Sequence, residues 1–190
     1  MSNLQKDIEN CLKEKLIYPD DRQLQQRGIA DRIEQECNDI LIQSFENTQK
    51  ARSRRSIEDI TINGCYIDHK TSDASLAFKM PNLISIDRLK KITRPLFYNF
   101  IHYNSSQKSI ANVMVLNVYE LNWDHLKIQN LGTGQLQIKN MAEFYQDPKT
   151  TMTKEEWRKE LQRQAILFYD KLLIKTEKRR EHWRKCNKIV

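Results

Sequence analysis

The sequence predicts an α/β protein of the α+β kind, with a mixed central β-sheet and flanking helices. Short runs rich in β-branched residues occupy the middle of the chain, at 57–72, 110–119 and 126–138. Apolar residues at helical spacing occupy both ends, at about 3–17, 21–47 and 153–184. Because helices and sheets bury their apolar faces against one another, this order of elements favours a layered α+β fold.

The length and composition set the scale of the fold. A chain of 190 residues with 39% hydrophobic content is long enough for one domain with a sizeable core. We therefore predict a single domain over 1–190, with a helical part to about residue 50, a sheet core at about 56–140 and a C-terminal helix at about 153–184. The net charge of +7 favours a polyanionic partner, with nucleic acid as the leading candidate.

Cysteine spacing and hydropathy indicate the cellular setting. The four cysteines are scattered without a C-x-x-C pair, which predicts neither a zinc site nor a disulfide framework. No apolar run approaches the ~20 residues of a membrane helix, and the N-terminus lacks the apolar core of a signal peptide. We expect a cytoplasmic protein that does not bind membranes.

The segment 57–72 predicts a β-hairpin. Asn63-Gly64 separates two short β-branched runs, and this dipeptide supplies the positive φ angles of a two-residue type I′ turn. In that register Ile62 faces Cys65, and Asp59 lies directly opposite Asp68. The two aspartates and Lys70 then share one face of the hairpin, opposite an isoleucine layer.

Two opposed aspartates predict a cation site. Carboxylates about 5 Å apart repel each other unless something compensates their charge. Mg²⁺ prefers one or two carboxylates, with waters and substrate phosphates as its other ligands. Lys70, two residues beyond Asp68, can orient an attacking water or offset charge on a phosphate. The alternative is a solvated hairpin face without function.

The same residues resemble a known family. Asp59, followed after eight residues by Asp68-His69-Lys70, is similar to the core motif of the PD-(D/E)XK nucleases. The run Y-I-D-H-K-T-S resembles the corresponding strand of type II restriction endonucleases, especially those that leave blunt ends. The resemblance implies that Asp59, Asp68 and Lys70 are catalytic, with Asp59 and Asp68 as the Mg²⁺ ligands. Ser-Ile-Glu stands before Asp59, where the family often has a proline.

The helix before the hairpin supplies a candidate third acid. In the family, this helix often contributes a further carboxylate to the metal region, and here that residue would be Glu34 or Glu36. The alternative is a solvated acidic face of an amphipathic helix, which Gly28 can interrupt.

Candidate DNA contacts lie on both sides of the hairpin. A basic connector precedes it, a polar segment follows it, and amides of the type that read base edges flank a Gly-Thr-Gly tip. Solvated linkers and ordinary surface amides are the alternative interpretation. The candidates are Arg52, Arg54, Arg55, Ser72, Lys79, Asn130, Thr133, Gln135 and Gln137.

The remaining elements follow from periodicity. The spacing of Leu83 to Ile92 predicts a helix, and 96–103 an aromatic strand or short helix. The almost continuous β-rich run 110–119 predicts a strand buried on both faces, in the middle of the sheet beside the hairpin. T-K-E-E at residue 153 predicts a capping box at the start of the last helix. Its expected packing residues are Trp157, Leu161, Ile166, Phe168, Leu172 and Leu173.

Together, these patterns and the resemblance predict a Mg²⁺-dependent type II restriction endonuclease that cuts double-stranded DNA at a specific site. A symmetric target would favour a homodimer. The alternatives are a non-catalytic basic nucleic-acid-binding protein, and an RNA or structure-specific nuclease on the same core.

Overall fold

The computed structural model describes residues 3–19, 26–53, 56–75, 81–129 and 134–186. Its helices are α1 (Asn3–Lys15), α2 (Gln26–Ser44), α3 (Ile86–Leu89), α4 (Met141–Gln146) and α5 (Lys154–Lys185). Short 3₁₀ helices span Val118–Glu120 and Trp123–His125. The strands are β1 (Thr48–Lys50), β2 (Ile60–Ile62), β3 (Cys65–Asp73), β4 (Asn82–Ser85), β5 (Leu96–Asn104), β6 (Ser109–Asn117), β7 (Leu126–Gln129) and β8 (Gln135–Ile138).

The strands form two sheets. A five-stranded sheet has the order β1-β2-β3-β5-β6, and a three-stranded sheet has the order β4-β8-β7. In the larger sheet β3 and β5 are parallel, whereas the other neighbours are antiparallel. The fold is therefore α+β with a mixed sheet and flanking helices, as the sequence predicts.

The Asn-Gly hairpin has the predicted register. Ile62 pairs with Cys65, and Ile60 pairs with Ile67. Asn63 and Gly64 have φ angles of 48° and 78°, which are the positive values that a type I′ turn requires. The turn residues alone therefore determine which side chains of β2 and β3 share a face.

The position of β6 differs from the prediction. Its segment was expected beside the hairpin in the middle of the sheet, but β6 lies at the edge and β5 is the neighbour of β3. The first half of β6 is half-buried or exposed and its second half mixes buried with half-buried residues, whereas β5 is buried over most of its length. The aromatic run therefore takes the central position because its large side chains fill both faces of the sheet.

The five-stranded sheet has a hydrophobic core on each face. On one face, α1 and α2 cover isoleucines of the hairpin; its fully buried residues include Ile8, Ile33, Ile60 and Ile67. On the other face, β5 packs with the smaller sheet, α4 and the first half of α5, around Phe144 and Trp157. The sheet thus separates the hairpin's isoleucine layer from the face that carries Asp68.

Three further predictions need correction or qualification. Leu83 lies on strand β4 rather than a helix, which is limited to Ile86–Leu89. Helix α2 continues through Gly28 without interruption, since its other residues bury a stripe against α1 and the sheet. Ile166 and Leu173 were expected to pack, but they are 54% and 58% exposed, since both follow Ala165, the last buried residue of α5.

The capping box is confirmed: Thr153 and Glu156 bond to each other's backbone N–H groups at the start of α5. Within the described ranges, every helix is too short or too polar to cross a membrane.

Candidate active site

A backbone irregularity at the start of β2 positions Asp59. Its N–H donates to the carbonyl of Ile67 (2.9 Å), the residue that pairs with Ile60. Asp59 and Ile60 thus both face Ile67, which is the two-against-one arrangement of a β-bulge. Asp59 is therefore not the direct cross-strand partner of Asp68 that a regular ladder predicts. Its carboxylate turns inward, where Oδ2 accepts a hydrogen bond from the N–H of His69 at 2.7 Å.

Asp68 and Lys70 form an ion pair on the opposite face of β3 from His69. The Lys70 ammonium lies 2.9 Å from Oδ1 and 2.7 Å from Oδ2 of Asp68. The Lys70 side chain is only 17% exposed and the Asp68 side chain 11%, so water screens the pair little. The Lys70 Nζ also lies 5.9 Å from the centroid of the Tyr98 ring.

The ammonium does not fully balance the carboxylates. Burial raises the pKa of Asp68 to about 7; the Lys70 charge opposes this shift, and the neighbouring Asp59 carboxylate adds to it. Asp59 and Asp68 lie close enough to hydrogen-bond when one is protonated. The two acids therefore share a site that favours either a proton or a cation.

Glu34 is the third acid of the cluster. Thr71 Oγ1 donates to its Oε1 at 3.0 Å, which ties helix α2 to strand β3. Burial raises the pKa of Glu34 to about 7, and the charge of Asp59 adds to the shift. Glu36, the other candidate, makes no ion pair or side-chain hydrogen bond with the described residues. The helix thus presents Glu34, and not Glu36, to the site.

A buried chain of three side chains supports this arrangement. The His69 ring lies between two asparagines. Its Nε2 is 3.2 Å from Oδ1 of Asn38 on α2, and its Nδ1 is 3.1 Å from Nδ2 of Asn99 on β5. Burial lowers the pKa of His69, so the ring is neutral near pH 7. A neutral ring with Nε2–H donating to Asn38 and Nδ1 accepting from Asn99 satisfies both contacts. The backbone N–H of His69 donates to the Asp59 carboxylate. The side chains that fix His69 therefore also position that carboxylate.

The residues present fit a hard divalent cation. Asp59 and Asp68 offer carboxylate oxygens, and the buried hydroxyl of Tyr98 beside Asp68 has no hydrogen-bond partner among the described residues. Across the described residues, no group of three or more His, Cys, Asp or Glu side chains has a metal-binding arrangement. Two carboxylates, with water and substrate oxygens completing the shell, match the ordinary coordination of Mg²⁺.

The predicted DNA contacts are dispersed. Ser72 is buried on β3, with its Oγ 3.0 Å from Nδ1 of His102. Gln137 is buried on β8 and donates to Asn82 at 3.0 Å, and Gln135 is half-buried on the same strand. Arg52 is exposed between β1 and β2. The others lie outside the described residues: Arg54, Arg55, Lys79, Asn130 and Thr133.

Sequence reasoning missed three polar neighbours of the acids. Asn38 follows Glu34 by four residues and thus lies on the same helix face, which the spacing alone could have indicated. Asn99 is a buried amide inside an aromatic strand, and its polarity in an apolar run was the available clue. Tyr98 belongs to the predicted aromatic segment 96–103, and it is buried with its ring centroid 5.9 Å from the Lys70 Nζ.

The fold and the cluster define an α+β protein with a mixed sheet and a group of three acids and a lysine at the bulged end of a hairpin. In this group Asp68 is buried and the other members are half-buried. No protein-family model matches the chain, and no curated protein is detectably similar to it.

Proposed function

We propose that the protein is a Mg²⁺-dependent endonuclease that hydrolyses phosphodiester bonds of double-stranded DNA, with the site specificity of a type II restriction enzyme. The observation that supports this best is the convergence of Asp59, Asp68 and Lys70 at one site. Burial raises the pKa of Asp68 there, and the charge of Asp59 adds to the shift although Lys70 opposes it. Such a site favours a divalent cation, and a cation there attracts phosphate.

The chemistry follows from the positions of the side chains. Asp59 and Asp68 would hold the metal ion, which when bound acidifies a water and offsets charge on the phosphate. Lys70, already beside Asp68, can donate to a phosphate oxygen or to the attacking water. In the hydrolysis, the water oxygen bonds to phosphorus, the bond to the leaving sugar oxygen breaks, and that oxygen takes up a proton.

Glu34 supplies a group for the proton of the attacking water. A carboxyl with a pKa of about 7 is half charged at neutral pH, which suits a general base. Its bond to Thr71 holds the carboxyl in place from the helix side. We propose Glu34 as a proton acceptor at the site.

The partners follow from the same proposal. The net charge of +7 suits a DNA duplex, and a symmetric target suits a homodimer with one cut per subunit. We place this activity in the cytoplasm, where the scattered, unpaired cysteines stay reduced.

Cleavage of a supercoiled plasmid tests the proposal. We expect nicked and linear products with Mg²⁺ and none with a chelator. Asp68→Asn should cut roughly 100-fold more slowly or worse, because it removes one anionic ligand while keeping the shape. Gel quantification of initial rates gives the measurement.

Two glutamates on one helix supply the matched control. Glu34→Gln should slow cleavage, whereas Glu36→Gln, two residues along α2, should cut like the unmodified protein. Cutting by Asp68→Asn at the unmodified rate, or cutting without any divalent cation, would contradict the site. Retardation of DNA without nicking in Mg²⁺ or Mn²⁺ would instead support the non-catalytic binder, and cleavage of RNA alone would change the substrate.

A further inference from the structure

The second half of α5 is strongly basic. Between residues 171 and 185 the sequence has seven Lys or Arg and two Glu. All of these charged side chains are exposed, and none of the cations is ion-paired, although the structure describes this whole segment. The buried residues of α5 are confined to its first half, namely Trp157, Leu161 and Ala165.

Five of the seven Lys and Arg side chains form a stripe along one side of the helix. Positive side chains recur at intervals of three and four residues, which places them on one face. Most of them line one shallow surface groove together with Ile174. We call this face the α5 basic stripe: Lys171, Lys175, Lys178, Arg179, His182 and Lys185.

The acids of this half lie on a different face. Asp170, Glu177 and Glu181 are separated by seven and four residues, about a third of a turn away from the stripe around the helix axis. A merely solvated helix gains from mixing the two signs as pairs at i,i+4. Here Glu181 is the one acid at such a spacing from the stripe, beside Lys178 and Lys185. Lys171, Lys175 and Arg179 have no acid three or four residues away, which leaves the positive potential uncompensated along that part of the stripe.

We propose that the α5 basic stripe binds the phosphate backbone of double-stranded DNA, away from the acidic cluster. From residue 171 to 185 the stripe extends about 21 Å at 1.5 Å per residue. That length follows about six nucleotides of one strand at 3.4 Å each. This inference rests on the DNA partner of the proposed function, but it assigns that contact to a surface that has no part in the chemistry.

Charge favours DNA over a second copy of this chain as the occupant. Leu173 and Trp183 are 58% and 61% exposed on this half of α5, and such apolar side chains can also pair two helices. Two copies of α5 side by side would bring like-charged stripes together, which costs stability. A polyanion instead releases its counterions when the stripe binds it.

The salt dependence of binding tests the stripe directly. The affinity of the full-length protein for a DNA duplex is measured by fluorescence anisotropy across a salt series, without a divalent cation. The stripe variant is Lys175→Gln with Lys178→Gln. The matched control is Arg180→Gln with Arg184→Gln, which makes the same charge change on the same half of α5 but off the stripe.

We expect the stripe variant to reduce the slope of log K against log salt by about 1.8, which is about 0.9 for each lost phosphate contact. The control should leave the slope within error of the unmodified protein. Equal reductions of the slope in both variants would overturn the proposal, because net charge alone would then explain the binding. An unchanged slope in both variants would exclude the stripe as a DNA contact. A stripe variant that changes the sedimentation coefficient from dimer to monomer would assign the face to a second copy.

The binding experiment and the plasmid cleavage assay test the two proposals independently. A normal slope change with no cleavage by the unmodified protein would support the stripe and reject the nuclease. Cleavage that depends on Asp68, with no slope change in the stripe variant, would support the nuclease and reject the stripe.

Discussion

At the scale of single residues, the site is an excess of buried negative charge with one lysine. Asp68 and Glu34 both have pKa values raised to about 7, with burial as the first cause. Their ionisation therefore costs folding free energy in the absence of a cation. We therefore expect residues that bind a cation and its substrate to destabilise the protein when the cation is absent.

The Glu34→Gln variant tests this cost. The native state holds the Glu34 proton up to about pH 7, whereas the unfolded chain releases it near the ordinary value of 4.5. Stability of the unmodified protein should therefore fall as the pH rises between those values, because the native state binds more protons. Glutamine has no proton to lose and can keep the bond to Thr71. We expect Glu34→Gln to be more stable by roughly 1–3 kcal/mol at pH 8 and nearly equal to the unmodified protein at pH 4.

Urea unfolding at the two pH values, without divalent metal, measures the difference. Glu36→Gln is the control, and its effect should not change with pH. If Glu34→Gln raised the free energy of unfolding equally at both pH values, ionisation of the Glu34 carboxyl would not be the cause of the stabilisation.

At the scale of elements, two glycines share a positive φ but differ in how closely other side chains pack around them. Gly64, at the hairpin turn, has a φ of 78°, and a Cβ there would meet nothing within 4 Å. Gly134, before β8, has a φ of 71°, and a Cβ there would lie 3.1 Å from Phe168 and 3.3 Å from Ile86. Only the second site adds crowding to the backbone strain.

We therefore expect Gly64→Ala to destabilise the protein by about 1 kcal/mol, from the left-handed backbone alone. Gly134→Ala should cost about 2 kcal/mol or more, because the core must also shift. Thermal and urea unfolding of both variants gives the comparison. A Gly64 substitution that costs more than the Gly134 substitution would contradict the open position of the turn.

At the scale of the whole molecule, α5 has two different halves. In the first half, the Trp157 indole is fully buried and donates to the carbonyl of Leu121 at 2.8 Å, with the Trp123 ring centroid 4.9 Å away. In the second half, Trp183 is 61% exposed. The first half completes a core, and the second half extends past it.

Trp157→Phe should lower the free energy of unfolding by about 2–4 kcal/mol, since it leaves the Leu121 carbonyl without its donor and opens a void. Trp183→Phe should stay within about 0.5 kcal/mol of the unmodified protein. Denaturant unfolding of both variants measures the contrast. Similar losses in the two variants would show that the second half of α5 packs against something in solution.

Features that depend on neighbouring residues could be predicted from the sequence. Asn63-Gly64 dictated the turn and the register of the hairpin, because few other dipeptides tolerate two positive φ angles. Thr153 and Glu156 similarly set the start of α5. Alternation and helical spacing predicted most elements and the α+β class, and the hairpin brought Asp68 and Lys70 to one face.

Features that depend on distant parts of the chain became visible in the three-dimensional fold. It placed β6 at the sheet edge, turned Asp59 inward through a bulge, and selected Glu34 over Glu36. Periodicity predicts which face of an element is buried, but not which element covers it. Strand order and helix rotation are set by how whole faces pack together, and that choice involves residues far apart in sequence.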